Sequence, residues 1–231
     1  MHYILESFYS ALVLIGKFDL EIYEIIFTTL HITFYSLSYA LFFGIITAFF
    51  LSGATGRIGR LLKIIFNTLL SLPTVTIGLL VYIFLMQQGP FGYLHLLFTK
   101  KAIIIGQTIL AYPIITSLVT STLENYDKRL KEFLLTLGVN KLVLMRTILW
   151  EARYGILISA ITAYGRVISE VGTSMILGGN IKGYTRTLTT AISLETSKGS
   201  FENALALGFI LLTISLVINI GLHFMRRQWS Q

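Results

Sequence analysis

The chain has no cysteine, three prolines among 231 residues, and only 13% charged residues. Without cysteine there are no disulfides, thiolate metal sites or cysteine nucleophiles, and the redox compartment stays open. The four histidines, His2, His31, His95 and His223, lie in different segments with no H-x-x-x-H spacing and no carboxylate companions. That scatter points to structural roles rather than metal ligation. No G-x-x-x-x-G-K-S/T occurs: Gly178 and Gly183 have the glycine spacing, but Tyr184 stands where the phosphate-binding lysine belongs. A G-x-S-x-G elbow and a catalytic pair of carboxylates are missing as well, so no residue pattern supports an enzyme. Nor is there an internal repeat of the kind that secondary transporters use for alternating access.

Apolar sequence fills the space instead, with 55% hydrophobic residues and a mean hydropathy of +0.77. A chain of this length cannot bury that much apolar surface in one soluble core and must set it against lipid. Roughly 20 apolar residues cross a hydrocarbon layer of about 30 Å. Five segments qualify: Glu24–Leu51, Leu61–Met86, Ala102–Leu123, Tyr154–Leu177 and Phe201–Phe224. The expected fold is therefore an all-α integral membrane protein with five transmembrane helices over residues 24–231.

The net charge of +7 lies in short links between apolar runs, which argues for membrane orientation and against nucleic acid. Arg57, Arg60, Lys63, Lys128, Arg129, Lys131, Lys141, Arg146, Arg153, Arg226 and Arg227 are 11 of the 18 basic residues, and in a five-span chain they share one side. Lys100, Lys101, Lys182, Arg186 and Lys198 share the other. The positive-inside rule then puts the loop 124–153 and the C-terminus in the cytoplasm and the N-terminus outside. Residues 1–23 are expected as an interfacial helix, because Met1–Lys17 is short and interrupted; a sixth span is the alternative. The same stretch lacks a basic n-region and is read as uncleaved.

Several polar or helix-breaking residues stand out against this background. Pro73 and Pro113 fall deep in the second and third spans, where each bends the helix either as a packing kink or as part of a pathway wall. Arg166 and Glu170 in the fourth span are spaced i,i+4, which places both on one helix face. They form either an internal ion pair or a cation facing an anion route with its carboxylate holding it. Beyond this span the loop 178–200 contains Gly178, Gly179, Asn180, Gly183, Thr185, Arg186 and Thr187. It reads as an outer gate or partner surface, with ordinary helix capping as the plainer alternative and oxyanion coordination by its hydroxyls and the Arg186 guanidinium as a third. Between the third and fourth spans, Lys131–Glu151 is a wet, basic interruption, in which Glu132 precedes Gly138 by six residues. A helical loop of this kind suits docking to a cytoplasmic motor.

The same segment carries a family resemblance. Glu132-x5-Gly138-x9-Ile148 is similar in spacing to the EAA loop of ATP-binding cassette importer permeases, E-A-A-x3-G-x9-I-x-L-P. Phe133 and Leu134 replace its alanines, and Trp150 and Glu151 its Leu-Pro. Further on, Arg166–Gly172 (RVISEVG), Gly179-Asn180-Ile181, Gly183, Thr185 and Thr187-Leu188 resemble the molybdate and tungstate permease group, as do Leu72-Pro73 and the turn at Gly89–Gly92. Arg186, where molybdate-type chains more often carry Gln, makes the tungstate branch the nearer.

The resemblance implies a type I importer permease working as a homodimer in a bacterial or archaeal inner membrane. Its partners would be a dimer of cytoplasmic ATPases and an extracytoplasmic oxyanion-binding protein. ATP and magnesium would sit on the ATPase, and this chain would bind no cofactor. Glu132, Phe133, Leu134, Gly138, Val139 and Lys141 would form the ATPase-coupling surface, Arg166 and Glu170 would lie on the path, and residues 178–190 would form the outer gate. A molybdate or sulfate permease is the alternative within the class, and a membrane enzyme or scaffold the alternative outside it.

Overall fold

The computed structural model describes residues 20–54, 56–125 and 139–228, apart from the side chains of 141, 142 and 222–228. The described residues form α1 (Leu20–Gly53), α2 (Gly56–Leu69), α3 (Thr74–Leu85), a 3-10 turn (Gly92–Leu94), α4 (Lys100–Glu124) and α5 (Lys141–Glu151). After these come α6 (Arg153–Ile168), α7 (Gly172–Gly178), α8 (Leu188–Ser197) and α9 (Phe201–Gln228). No strand occurs among the described residues.

Helix α4 is the axis of the bundle, touching α1, α2, α3, α6 and α7. Three helices are long and apolar enough to cross a membrane: α1, α4 and α9. Of their apolar windows 56% is buried in α4 but 28% in α1 and 22% in α9, so α4 is the enclosed one. Helix α1 shows why the outer helices pack as they do. Phe27, Phe34, Phe42 and Phe50 are exposed on its outer side, while Thr29, Thr33, Ser36, Ala40, Gly44 and Ala48 form a buried stripe of small residues. Between helices in lipid the attraction comes from close packing, which small side chains permit.

Gly44 marks the tightest part of that stripe, since a Cβ there would stand 2.8 Å from Ile115 Cγ2 and 3.1 Å from its Cβ. Gly44→Val is expected to destabilise the detergent-solubilised chain by about 1–3 kcal/mol through overpacking. The check is the thermal unfolding midpoint beside that of a Gly208→Val control, whose site is open within 4 Å.

Two of the expected spans are not single helices. Across Leu70–Pro73, α2 and α3 bend by 102°. Pro73 is the N-cap of α3 with φ −63° and ψ 126°, so it starts a helix instead of kinking one. There its missing N–H costs no helical bond, and its ring keeps Leu72 out of helical geometry, so the turn after α2 cannot run on into α3 as one helix. Pro113, by contrast, lies inside a continuous α4.

The segment Tyr154–Leu177 also breaks, at Ser169–Val171 between α6 and α7. Glu170 turns its carboxylate to accept the backbone N–H of Thr173 at 3.0 Å, satisfying a donor in the first turn of α7. At the other end of the chain Leu20–Tyr23 continue into α1 and do not belong to a separate element; residues 1–19 lie outside the described residues.

Candidate functional site

Helix α6 and the residue that ends it place three polar side chains on the outward face. Thr162, Gly165, Arg166 and Ser169 are exposed, whereas Ser159, Ala163, Tyr164 and Val167 are buried against the bundle. Thr162 and Ser169 satisfy their hydroxyls on their own helix, at Ile158 O (2.9 Å) and Gly165 O (2.8 Å). The Arg166 guanidinium has no such recourse, and among the described residues no carboxylate pairs with it. A charge facing lipid costs several kcal/mol, so this face meets water or protein.

Arg166 and Glu170 do not form the expected ion pair. Glu170 lies beyond the last residue of α6, so i,i+4 spacing no longer puts the two on one face. It is 6% exposed and serves as a junction. Its carboxylate holds α7, and its backbone carbonyl accepts the hydroxyls of Thr189 (2.9 Å) and Ser174 (3.3 Å). From Ser174 a buried polar chain continues across α4: Gln107 Nε2 donates to Ser174 Oγ at 3.1 Å, and Ser36 Oγ donates to Gln107 Oε1 at 3.3 Å. Gln107 and Ser36 were not expected as site residues. A lone glutamine in an apolar span is the signal that points to them.

The loop after α7 is clamped to α1. Arg186 donates from Nη1 to Glu21 Oε1 at 3.2 Å and from Nε to Asn180 Oδ1 at 3.3 Å, and Lys182 pairs with Glu21 Oε2 at 2.6 Å. Gly179 and Asn180 both adopt positive φ, 68° and 51°. A Cβ on Gly179 would also reach 2.8 Å from Phe98 Cδ1, so the turn needs glycine for space as well as for conformation. Gly183 is likewise at positive φ, 73°.

The threonines of this loop are used internally. Thr185 Oγ1 donates to Gly178 O at 2.6 Å and accepts Ile181 N–H at 2.9 Å. Thr187 and Thr190 form a capping box at the start of α8, and Leu188 N–H donates to Thr29 Oγ1 at 2.9 Å. These hydroxyls therefore build the loop, as in the capping alternative. Thr185→Val is expected to strand Gly178 O and Ile181 N–H at a cost of about 1–3 kcal/mol. Faster amide exchange over 178–187, with α4 unchanged, is the measurement.

Of the coupling residues, Glu132, Phe133, Leu134 and Gly138 lie outside the described residues. Val139 is described and stands two residues before Lys141, the first residue of α5. From α5, Leu144 and Ile148 are buried in one cluster with Val119 and Leu123 of α4, Ala48 of α1 and Val167 of α6. The helix after the expected docking turn is thus rooted in the bundle core.

Residues 40–230 match the family model described as binding-protein-dependent transport system inner membrane component. The chain belongs to this family. Among its relatives, the tungstate uptake system permease protein TupB of Campylobacter jejuni is 41% identical over 229 residues, 98% of this chain and 95% of that one. TupB of Peptoclostridium acidaminophilum is 36% identical over 228 residues, 99% of this chain and all of its own length. Among solved structures, the permease fold is similar to a chain of the inward-facing MetNI methionine ABC transporter, with a TM-score of 0.73 at 17% identity over 92% of this chain and 97% of that chain. Membership of this transport-system family accounts for the helical architecture. The chain is a transport component and not an enzyme.

Proposed function

We propose that this chain is the membrane-spanning permease subunit of an ATP-driven oxyanion importer, with tungstate as its substrate. Two copies would enclose the path, a pair of cytoplasmic ATPases would drive it, and an extracytoplasmic binding protein would deliver the anion. The observation that carries the reading is the outward face of α6, where Thr162, Arg166 and Ser169 are exposed and Arg166 pairs with no carboxylate among the described residues. In a homodimer that face would line a wet path, and its cation would favour a dianion.

The topology that goes with this function has five crossings: α1, the bent pair α2–α3, α4, the broken pair α6–α7, and α9. Residues 24–231 would form the transmembrane domain, 1–23 an interfacial segment, 124–153 the cytoplasmic coupling loop and 178–200 the outer gate. The clamp from Glu21 to Lys182 and Arg186 supports a gate whose position is registered to α1. Broken helices in a membrane are tolerated where they border protein or a water-filled cavity, which supports a pathway next to the α6–α7 break. No cofactor is assigned to this chain; ATP and magnesium belong to the ATPase.

Tungstate is preferred because both TupB relatives align over nearly the whole chain. Tetrahedral oxyanions of nearly equal size differ little in transfer energy through a wet path, so selection would rest mainly with the binding protein. The test is uptake of labelled tungstate, with molybdate and sulfate as competitors, in cells that lack this chain and then regain it. Restored tungstate uptake that molybdate competes out only weakly is the expected result. Restoration of molybdate or sulfate uptake alone would reassign the substrate.

A further inference from the structure

The inner arm of the bent pair is held in an unusual way. Of the fourteen residues of α2 only Gly59 is buried, where a Cβ would clash with the Ala54 backbone, so close packing touches this helix at one residue. Its attachments to α4 are polar or grazing: Lys63 Nζ with the Glu124 carboxylate, Ser117 Oγ donating to Asn67 Oδ1, and Phe66 edge-on to Tyr112 at 5.6 Å. Lys63 Nζ also donates at 3.3 Å to Ala54 O, past the C-terminal end of α1, so three helices meet at one ammonium group. Between α2 and α4 lies an open crevice of about 270 Å³ lined by Lys63, Phe66, Asn67, Ser117, Thr120 and Glu124.

The outer arm is held in the opposite way. Gly78 of α3 presses on α7, where a Cβ would meet Thr173 Cα at 3.2 Å, and Thr173 Oγ1 donates to Thr74 O at 3.2 Å. Ile77, Val81 and Leu85 share a buried cluster with Leu177 of α7. Helix α7 ends at Gly178, where the outer loop begins. Glu124 is the last residue of α4, where the coupling segment begins.

From this arrangement we infer that Lys63 and Glu124 are positioning residues, the joint through which displacement of the coupling segment turns the α2–α3 crank and so moves α7 and the outer loop. The inference rests on the importer reading for what drives the joint. A partly exposed ion pair contributes little to stability, about 0–1 kcal/mol, which suits a joint that must hold and release. A crank with one loosely tethered arm and one packed arm passes motion outward only while the tether holds. Loss of the tether would leave ATP hydrolysis running with the outer loop no longer following.

Such coupling needs a direct test, since spatial continuity by itself does not establish it. The complete transporter, with ATPase and binding protein, is reconstituted in proteoliposomes, and tungstate imported per ATP hydrolysed is compared for Lys63→Met, Glu124→Gln and the exchange Lys63→Glu with Glu124→Lys. Each single change is expected to lower that ratio by roughly two- to fivefold, the size that loss of a tether of about 0.5–1 kcal/mol allows, with the exchange recovering most of it. In the same samples, amide exchange over 56–69 is expected to accelerate in Lys63→Met and to return in the double exchange. An unchanged ratio, parallel loss of uptake and hydrolysis, failed recovery, or unaltered exchange over 56–69 overturns the joint. Should the unaltered complex import no oxyanion, the importer reading fails, and exchange over 56–69 alone decides whether the tether exists.

Discussion

Arg166→Ala is expected to abolish most oxyanion uptake while the permease reaches the membrane at its usual level. Unit charges 4 Å apart at an effective dielectric of about 20 attract by about 4 kcal/mol, and a dianion doubles the product of charges. Water in the path screens part of that attraction, so a loss of ten- to a hundredfold, about 1.4–2.8 kcal/mol, is the expected size. The side chain is exposed on α6 and pairs with no carboxylate among the described residues, so its removal should cost the lone chain under about 0.5 kcal/mol. Arg166→Lys keeps the charge without the planar fork and should retain part of the uptake. The measurement pairs labelled uptake with the amount of permease in the membrane fraction. If both fall together in Arg166→Ala, the guanidinium is a packing element and the α6 face does not border the path.

The long apolar helices were legible because composition alone decides them: α1, α4 and α9 each enclose an expected span. Where the chain bends, local signals misled. Pro73 announced a break, but whether proline kinks a helix or begins one depends on the backbone around it, and the 102° turn required α3 to find its seat on α7. The break after α6 has no proline. It depends on a Glu170 side chain reaching forward to Thr173 N–H, in a place where Thr189 of α8 also donates to the Glu170 carbonyl.

Polar outliers were legible as outliers but not in their partners. Arg166 and Glu170 stood out by charge, yet the spacing that suggested a pair holds only along an unbroken helix. The chain Ser36–Gln107–Ser174 joins residues 71 and 67 positions apart, which no local pattern reveals. Glu21 fell in a stretch read as interfacial, and its tie to Arg186 spans 165 positions. Thr187 and Thr190 were the opposite case, since a capping box is a local device and their spacing announces it.

Gly138→Val is expected to remove both ATPase binding and uptake while insertion into the membrane continues. The resemblance to the EAA loop implies that Gly138 lets a partner surface approach the turn closely, and a β-branched residue there fills that space and narrows the backbone's options. The effect should be transmitted and not merely local, because the segment is pinned at both ends. Leu123 precedes it in α4, Leu144 and Ile148 follow it in α5, and all three lie in the same buried cluster with Ala48 and Val167. A force applied between those anchors enters the bundle core directly. Leu144→Ala separates docking from transmission: it should keep the ATPase bound but weaken the anchor by about 2–5 kcal/mol, lowering uptake per ATP. Co-purification of the ATPase with each variant, beside uptake in vesicles, distinguishes the two steps. Normal uptake in Gly138→Val would mean that the motor engages some other part of the chain, and the basic interruption between α4 and α6 would lose its assigned role.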